Sequence, residues 1–162
     1  MRPLAYNILI LAAFLLLCFG VMGLGGWITA PAVRDWYATL RKPPWNPPAW
    51  VFAPVWTFLF GTMAVSAWLV WLRRDSTAIT AAMVLFGVQL ALNLAWSALF
   101  FGLHRPLWAL ADIAGLLAAI IATIALFWRV HPLAGQLLIP YAAWVTYAST
   151  LNAAVWWLNR AA

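Results

Sequence analysis

The sequence predicts an all-α integral membrane protein, a five-transmembrane-helix bundle with a short helix in the first loop. The 162 residues are 67% hydrophobic and only 7% charged, and their mean hydropathy is +0.95. Soluble domains carry about 25% charged residues, so this chain has too few charges to cover a surface in water. It also contains five apolar segments of the length that a membrane-spanning helix needs, about 20 residues.

The five apolar segments cover residues 4–28, 49–72, 77–102, 107–128 and 132–158. The links at 73–76, 103–106 and 129–131 are so short that successive helices must be antiparallel neighbours. Only the first loop, residues 29–48, is long. We therefore treat residues 1–162 as a single transmembrane domain, whose function must lie in the bundle or in this loop.

The charged residues agree with a multi-pass membrane protein. The net charge is +6, and the basic residues lie at the ends of apolar segments, as is typical of contact with lipid headgroups. No basic stripe lies on a soluble face, which argues against nucleic-acid binding. Five spans place the two termini on opposite sides, but the cations divide almost equally between the sides. The charge pattern favours neither orientation and does not identify the membrane.

The third segment has two contrasting faces when its residues are placed about 100° apart. One face carries only small residues, which permit close helix approach and predict a subunit contact in a homodimer. The opposite face carries amides and aromatic rings, and amides are costly in lipid, so we expect it to face the bundle interior. The small-residue stripe comprises Gly87, Ala91, Ala95, Ala98 and Gly102, and the polar face comprises Gln89, Asn93, Trp96, Ser97 and Phe100.

Two further segments carry aromatic faces. Trp56, Phe60, Met63 and Ala67 share a face of the second segment, and Tyr141, Trp144, Ala148, Leu151 and Asn152 share a face of the fifth. At 1.5 Å per residue, Trp56, Trp96, Asp112 and Asn152 lie about 8–9 Å from the loop-side ends of their helices. Asn93 and Ala148 lie about 14 Å in, and Trp144 lies deeper still. An aromatic cavity with a few amides is typical of a site for a large, flat, apolar ligand.

Asp112 is the only acid inside a predicted span. An intramembrane acid is a functional candidate by default. The alternative is a structural tie to Arg105, to a backbone amide or to another polar group of the bundle.

The first loop contains an unusual run of prolines. Residues 35–40 predict a short helix with Asp35 as its N-cap or first-turn acid, and the two proline pairs hold the chain extended. Two interpretations are open: a preorganised lid whose cations attract carboxylates, or a rigid link that stabilises the start of the second span. The lid residues are Arg41, Lys42, Pro43, Pro44, Trp45, Pro47 and Pro48, and we expect Trp45 to pin the loop to the bundle.

Three stretches carry a resemblance to a known family: WYATLRKPPWNPPAWVFAPVW, GVQLALNLAWSALFFGLHRPLWALAD and HPLAGQLLIPYAAWVTYASTLN. Together they resemble the translocator protein family, also known as tryptophan-rich sensory proteins (TspO/MBR) or peripheral benzodiazepine receptors. The resemblance implies five spans, a first loop that covers a pocket, and a homodimer. It also implies binding of protoporphyrin IX or haem as ligand rather than as an obligatory cofactor, of isoquinoline-carboxamide drugs, and of lipid or sterol.

The resemblance also implies roles for particular residues. Trp56 and Asn93 match positions that contact a drug carbonyl, and Asp112 matches an acid common in the family. Tyr37 and Trp144 match residues implicated in light-driven porphyrin breakdown and would be catalytic only in that reaction. The remaining ligand-binding positions are Trp36 in the loop and Phe60, Trp96, Ser97, Ala148 and Leu151 in the pocket wall. Sterol recognition is less expected, because Ala153 stands where the family's proposed motif has tyrosine.

Three functions remain open at this point. The first is a sensory or regulatory protein that binds a tetrapyrrole under the lid. The second is a light-dependent porphyrin-degrading enzyme, since no nucleophile–base pair or metal cluster indicates conventional catalysis; His104 and His131 lie in loops on opposite sides. The third is a transporter of porphyrins or other lipophilic molecules, with Asp112 carrying a proton, although no internal repeat supports it.

Overall fold

The computed structural model describes residues 3–73 and 79–160, which form helices and short links without a strand. The helices are α1 Leu4–Arg34, α2 Trp36–Thr39, α3 Ala49–Trp71, α4 Ile79–Ser97, α5 Pro106–Val130, α6 Pro132–Leu137 and α7 Ile139–Asn159. A π-helical segment, Ala98–Gly102, continues α4. The all-helical prediction is confirmed. Most of the predicted link 73–76 and the predicted start of the third segment at 77 lie outside the described residues.

The first loop is shorter than predicted. Helix α1 continues past Pro31 to Arg34, because the Asp35 N–H still donates to the Pro31 carbonyl and extends the helical hydrogen bonding. The short helix in the loop is confirmed as α2. Asp35 occupies the N-cap position of α2, as predicted, but its side chain makes no capping hydrogen bond.

The fifth apolar segment forms two helices. Helix α6 ends at Leu137, and α7 begins at Ile139. Pro140, in the first turn of α7, has no N–H to donate to the Gln136 carbonyl, so one continuous helix would lose a hydrogen bond here. Four helices are long and apolar enough to cross a membrane, namely α1, α3, α4 with its π segment, and α5. The chain is an integral, multi-pass membrane protein; α7 has 21 residues but is less apolar, so its crossing remains a prediction.

The helices surround a common interior. Helix α1 packs against α3 and α4, α4 packs against α5, and α5 packs against α7, which gives the order α3, α1, α4, α5, α7 around the bundle. We call the end where α1 stops and α5 starts the loop end, and the opposite end the far end. The buried core runs from Phe127 near the far end through Met63 to Tyr141.

The small-residue stripe of α4 is divided between two environments. At the loop end, a Cβ on Gly102 would lie 3.3 Å from Cγ2 of Ile28, so this part of the stripe packs against α1 of the same chain. Gly87 and Ala91 are exposed, and a Cβ on Gly87 would meet nothing within 4 Å. Only the part of the stripe at Gly87 and Ala91 is therefore free to contact another subunit.

Candidate functional site

Aromatic and polar side chains fill the bundle interior in two layers. The upper layer lies at the loop end, beneath α2, and contains Trp36, Tyr37, Trp96, Phe100 and Asn152. The lower layer lies deeper and contains Trp56, Phe60, Asn93, Tyr141 and Trp144. Most of the sequence-predicted site residues therefore come together, at two depths.

Asn152 connects three helices in the upper layer. The Trp96 Nε1–H donates to Asn152 Oδ1 at 3.0 Å, and Asn152 Nδ2 donates to the Pro106 carbonyl at 2.8 Å. Asn152 is only 2% exposed. One side chain of α7 therefore satisfies an indole of α4 and the first carbonyl of α5, which fixes the indole plane of Trp96.

We expect Asn152→Ala to lower the stability of the bundle measurably. The substitution leaves the Trp96 N–H and the Pro106 carbonyl without their partner, and such interhelical hydrogen bonds contribute about 1–2 kcal/mol within membranes. Thermal unfolding in detergent measures the effect. The matched control is Thr150→Ala on the same helix, whose exposed hydroxyl bonds only to the Tyr147 carbonyl one turn away; equal melting temperatures for the two variants contradict the bridging role.

Helix α2 closes the upper layer from above. The Trp36 ring stacks on His104 with centroids 4.3 Å apart, and the Tyr37 ring meets Phe101 edge-on at 5.6 Å. Phe101 lies on the π-helical segment, whose wider turn changes the direction of its side chains relative to a regular α-helix. His104 follows with φ of 54°, a left-handed conformation that histidine adopts more readily than most residues.

The proline-rich part of the loop is pinned along α7. The Arg41 N–H donates to Asn159 Oδ1, and Asn159 Nδ2 donates to the Arg41 carbonyl, both at 3.0 Å. Further down the helix, the Tyr147 hydroxyl donates to the Trp45 carbonyl at 2.6 Å. Twelve residues of helix separate the two pins, or about 18 Å. The loop therefore descends along α7 before α3 begins.

Trp45 pins the loop through its backbone rather than through its ring. The Trp45 carbonyl accepts the hydrogen bond from Tyr147, while the Trp45 side chain is 53% exposed. The prediction that Trp45 pins the loop is confirmed. The sequence did not indicate that the backbone carbonyl of Trp45, rather than its ring, makes the contact.

Tyr37 organises the loop from inside. Its hydroxyl donates to Asn46 Oδ1 at 2.9 Å, and the Lys42 ammonium lies 4.6 Å from its ring centroid. Burial raises the pKa of the Tyr37 phenol, and the hydrogen bond with Asn46 only partly offsets this. Tyr37 therefore remains a neutral donor at physiological pH. Lys42 is folded back onto the loop, while Arg41 is exposed.

The lower layer joins α3, α4 and α7 through aromatic contacts. Asn93 Nδ2 donates to the Tyr141 hydroxyl at 3.0 Å, and both residues are buried. The Trp56 ring meets Tyr141 at 6.3 Å and Trp144 at 6.4 Å, nearly perpendicular to the latter. The common depth predicted for Trp56, Trp96 and Asn152 is therefore wrong for Trp56, because the descending loop makes α3 begin deeper than α7 ends.

Four buried side-chain polar atoms have no hydrogen-bond partner within residues 3–73 and 79–160. They are Trp144 Nε1, Asp112 Oδ2 and Gln89 Oε1 in the bundle, and His131 Nδ1 in the link between α5 and α6. An unsatisfied buried donor or acceptor costs about 1–3 kcal/mol, so native structures contain few of them. Within the same residues Asp112 also forms no ion pair with Arg105, which removes that structural explanation for the acid. The three atoms in the bundle are available to a ligand.

Some predicted site residues lie elsewhere. Ser97 faces α1, where its Oγ would be 3.4 Å from a Cβ on Gly25, so it lies between two helices of the bundle and outside the two interior layers. The lack of a side chain on Gly25 lets α1 approach α4 at this point. Tyr37 and Trp144 lie in different layers, and no ring contact joins them in the described chain. Leu151 is buried, and Ala148 packs against the core.

Several residues that shape the site were missed from the sequence. Phe52 meets Trp144 edge-on at 5.8 Å, and Asn46, Tyr147 and Asn159 hold the loop. A usable signal existed for Asn159, a polar residue that closes the last apolar segment beside Arg160. No comparable signal existed for Tyr147, because tyrosine near a span end is also typical of the membrane interface.

Comparison with known proteins identifies the family of this chain. Residues 13–158 match the model of the TspO/MBR family. The chain is 44% identical to the tryptophan-rich protein TspO of Chlorobaculum tepidum, over 94% of this chain and 98% of that protein. It is 40% identical to the translocator protein of Sus scrofa over 86% of each chain, and 38% identical to the protein CrtK of Rhodobacter capsulatus over 85% of each.

Proposed function

Because this chain belongs to the TspO/MBR family of membrane proteins, we propose that it binds a tetrapyrrole beneath the first loop and acts as a sensory or regulatory protein. The observation that carries the proposal is a set of unpaired polar atoms in the bundle, one of which, Trp144 Nε1, lies among aromatic rings. Trp144 Nε1, Gln89 Oε1 and Asp112 Oδ2 are buried without a partner in the described chain. A ligand with pyrrole N–H groups and nitrogens offers both donors and acceptors to such atoms.

The aromatic rings support a flat ligand. Indole rings offer large apolar faces that stack on a planar macrocycle, and Trp56, Trp96 and Trp144 lie within the two interior layers. Recognition in this proposal uses the macrocycle and its carboxylates rather than a bound metal. Protoporphyrin IX fits both parts of the proposal, whereas haem, whose ring nitrogens are bound to iron, fits through ring stacking and its carboxylates alone.

The loop supplies a positive charge that can pair with the carboxylates of the ligand. Arg41 is exposed beside the first pin, and its guanidinium matches a carboxylate in a bidentate geometry. Side chains fill the interior in this conformation, so entry of the ligand requires the loop to move. The pins are suited to this movement, because each consists of only one or two hydrogen bonds, which contribute about 0.5–1.5 kcal/mol each.

Titration of protoporphyrin IX into the purified protein tests the proposal. We expect saturable quenching of tryptophan fluorescence with one porphyrin per chain. The dimethyl ester of protoporphyrin IX lacks the carboxylates and should bind about tenfold more weakly, because each 1.4 kcal/mol of lost interaction is a factor of ten. Quenching that rises linearly and equally for both compounds would show partition into the detergent instead.

We further propose that the chain forms a homodimer through the free part of the α4 stripe. Small residues permit close helix approach in membranes, and Gly87 and Ala91 are exposed. We expect the double substitution Gly87→Leu/Ala91→Leu to convert dimers to monomers, as measured by native mass spectrometry. The control is Ala114→Leu/Ala118→Leu, which has the same spacing on an exposed face of α5; an equal loss of dimer in both variants would overturn this interface.

A further inference from the structure

A second possible binding site lies outside the bundle interior, between the loop and α7. An open groove of about 590 Å³ lies there, a volume within the range of small-molecule sites. Its walls are loop residues Lys42 to Trp45, Leu110 of α5, and the outer part of α7 near its end. Its surface is almost entirely apolar, so the groove is suited to a hydrocarbon chain.

Small side chains on α7 leave the groove open. Ala153 and Ala154 form its floor, where larger residues would fill the space, and the exposed Trp45 and Trp157 rings flank it. The two pins of the loop, at Asn159 and Tyr147, hold the opposite wall in place. The groove is therefore a preformed feature of the surface that faces lipid.

Cations surround this groove. The Arg160 guanidinium lies 3.3 Å from the centroid of the Trp157 ring, which lines the groove. Lys42 also lines the groove, but its ammonium is turned to the Tyr37 ring and the Leu40 carbonyl. The exposed Arg41 is adjacent along the loop. At the loop end, the described residues carry five cations, Arg34, Arg41, Lys42, Arg105 and Arg160, against one acid outside the helices, Asp35.

A neighbouring groove also has apolar walls, but its lining carries no charge. It has a volume of about 470 Å³ and lies between α3 and α7, where Phe58, Ala143 and Tyr147 contribute to its walls. The comparison indicates that charge distinguishes the larger groove from an ordinary lipid-facing surface.

We propose that the larger groove binds an anionic phospholipid, with an acyl chain over Ala153 and Ala154 and the phosphate at Arg160. Basic side chains beside membrane helices attract anionic headgroups, and a guanidinium matches a phosphate in a bidentate geometry. This site is separate from the tetrapyrrole site, since neither Ala153 nor Arg160 reaches the two interior layers. It stands or falls independently of the proposed function.

Native mass spectrometry with equimolar phosphatidylglycerol and phosphatidylcholine of identical acyl chains tests the site. We expect the chain to retain phosphatidylglycerol preferentially. Ala153→Trp should fill the groove, and Arg160→Gln should lower phosphatidylglycerol retention about fivefold, the contribution of one basic side chain near a membrane surface. Arg160 lies on the surface, so Arg160→Gln should fold and still test the site if Ala153→Trp does not fold.

Matched controls separate this site from general lipid contact. Ala143→Trp fills the uncharged groove, and Arg129→Gln removes an exposed cation at the far end; both should leave phosphatidylglycerol retention unchanged. Equal retention of the two lipids, or retention that Arg160→Gln does not alter, overturns the proposal. A loss of dimer in Ala153→Trp with unchanged lipid retention would assign the groove to a second copy of the chain and also overturn it.

Discussion

The double substitution Trp144→Ala/Asn93→Ala is expected to weaken protoporphyrin IX binding about 100-fold, since two lost contacts of about 1.4 kcal/mol each correspond to two factors of ten. Trp144 offers an indole face and an unpaired Nε1 donor, and Asn93 offers a buried amide beside Tyr141. Both belong to the lower layer. Tryptophan quenching measures the affinity, with the quenching amplitude corrected for the missing indole.

The control for this prediction is Trp27→Ala. Trp27 is 78% exposed on α1, so its replacement removes an indole without altering either interior layer. The Asn93 substitution also removes a hydrogen bond between α4 and α7, and thermal unfolding without ligand must show that the double variant remains folded. A folded double variant with wild-type affinity would place the porphyrin outside the lower layer.

The loop variant Asn159→Ala/Tyr147→Phe is expected to exchange porphyrin faster in both directions. It removes the side-chain hydrogen bonds at Arg41 and Trp45 that hold the loop on α7. Each of the three bonds contributes about 0.5–1.5 kcal/mol, so the open loop should become at least about tenfold more populated. Stopped-flow fluorescence should then show association and dissociation rates that rise together, while the equilibrium affinity changes little.

That pattern follows because the pins stabilise the closed loop with and without ligand. Thr150→Ala provides the control, since Thr150 lies on the exposed side of α7 between the two pins and bonds only within its own helix. Hydrogen exchange of the Arg41 amide gives an independent measure of opening. Rates that stay at wild-type values in a variant with faster Arg41 exchange would show that the loop does not gate the interior.

The helices and most of the interior faces are predictable from sequence for a clear physical reason. Long apolar segments must be helical in lipid, where every backbone group needs an internal partner, and amides such as Asn93 must turn away from lipid. Asn93, Trp96 and Asn152 accordingly lie where the helical period places them. Helical period fixes direction around an axis, but it does not fix depth along it.

The depth of a residue along the bundle axis depends on the path of the first loop, and the sequence did not predict that path. Trp56 lies in the lower layer because the loop descends along α7, and that path depends on Asn159 and Tyr147, more than 100 residues after the loop in the chain. The orientation of Ser97 similarly depends on Gly25, whose missing side chain admits α1. Contacts between distant segments decide both cases, and no local pattern encodes them.

A structure of the chain with protoporphyrin IX bound tests the central claim most directly. We predict the macrocycle beneath the first loop, within stacking distance of Trp56, Trp96 or Trp144, with Trp144 Nε1 or Asp112 Oδ2 in hydrogen-bond contact and a carboxylate near Arg41. A macrocycle on the lipid-facing surface, for example in the groove beside Ala153, with both interior layers unchanged, would contradict the account.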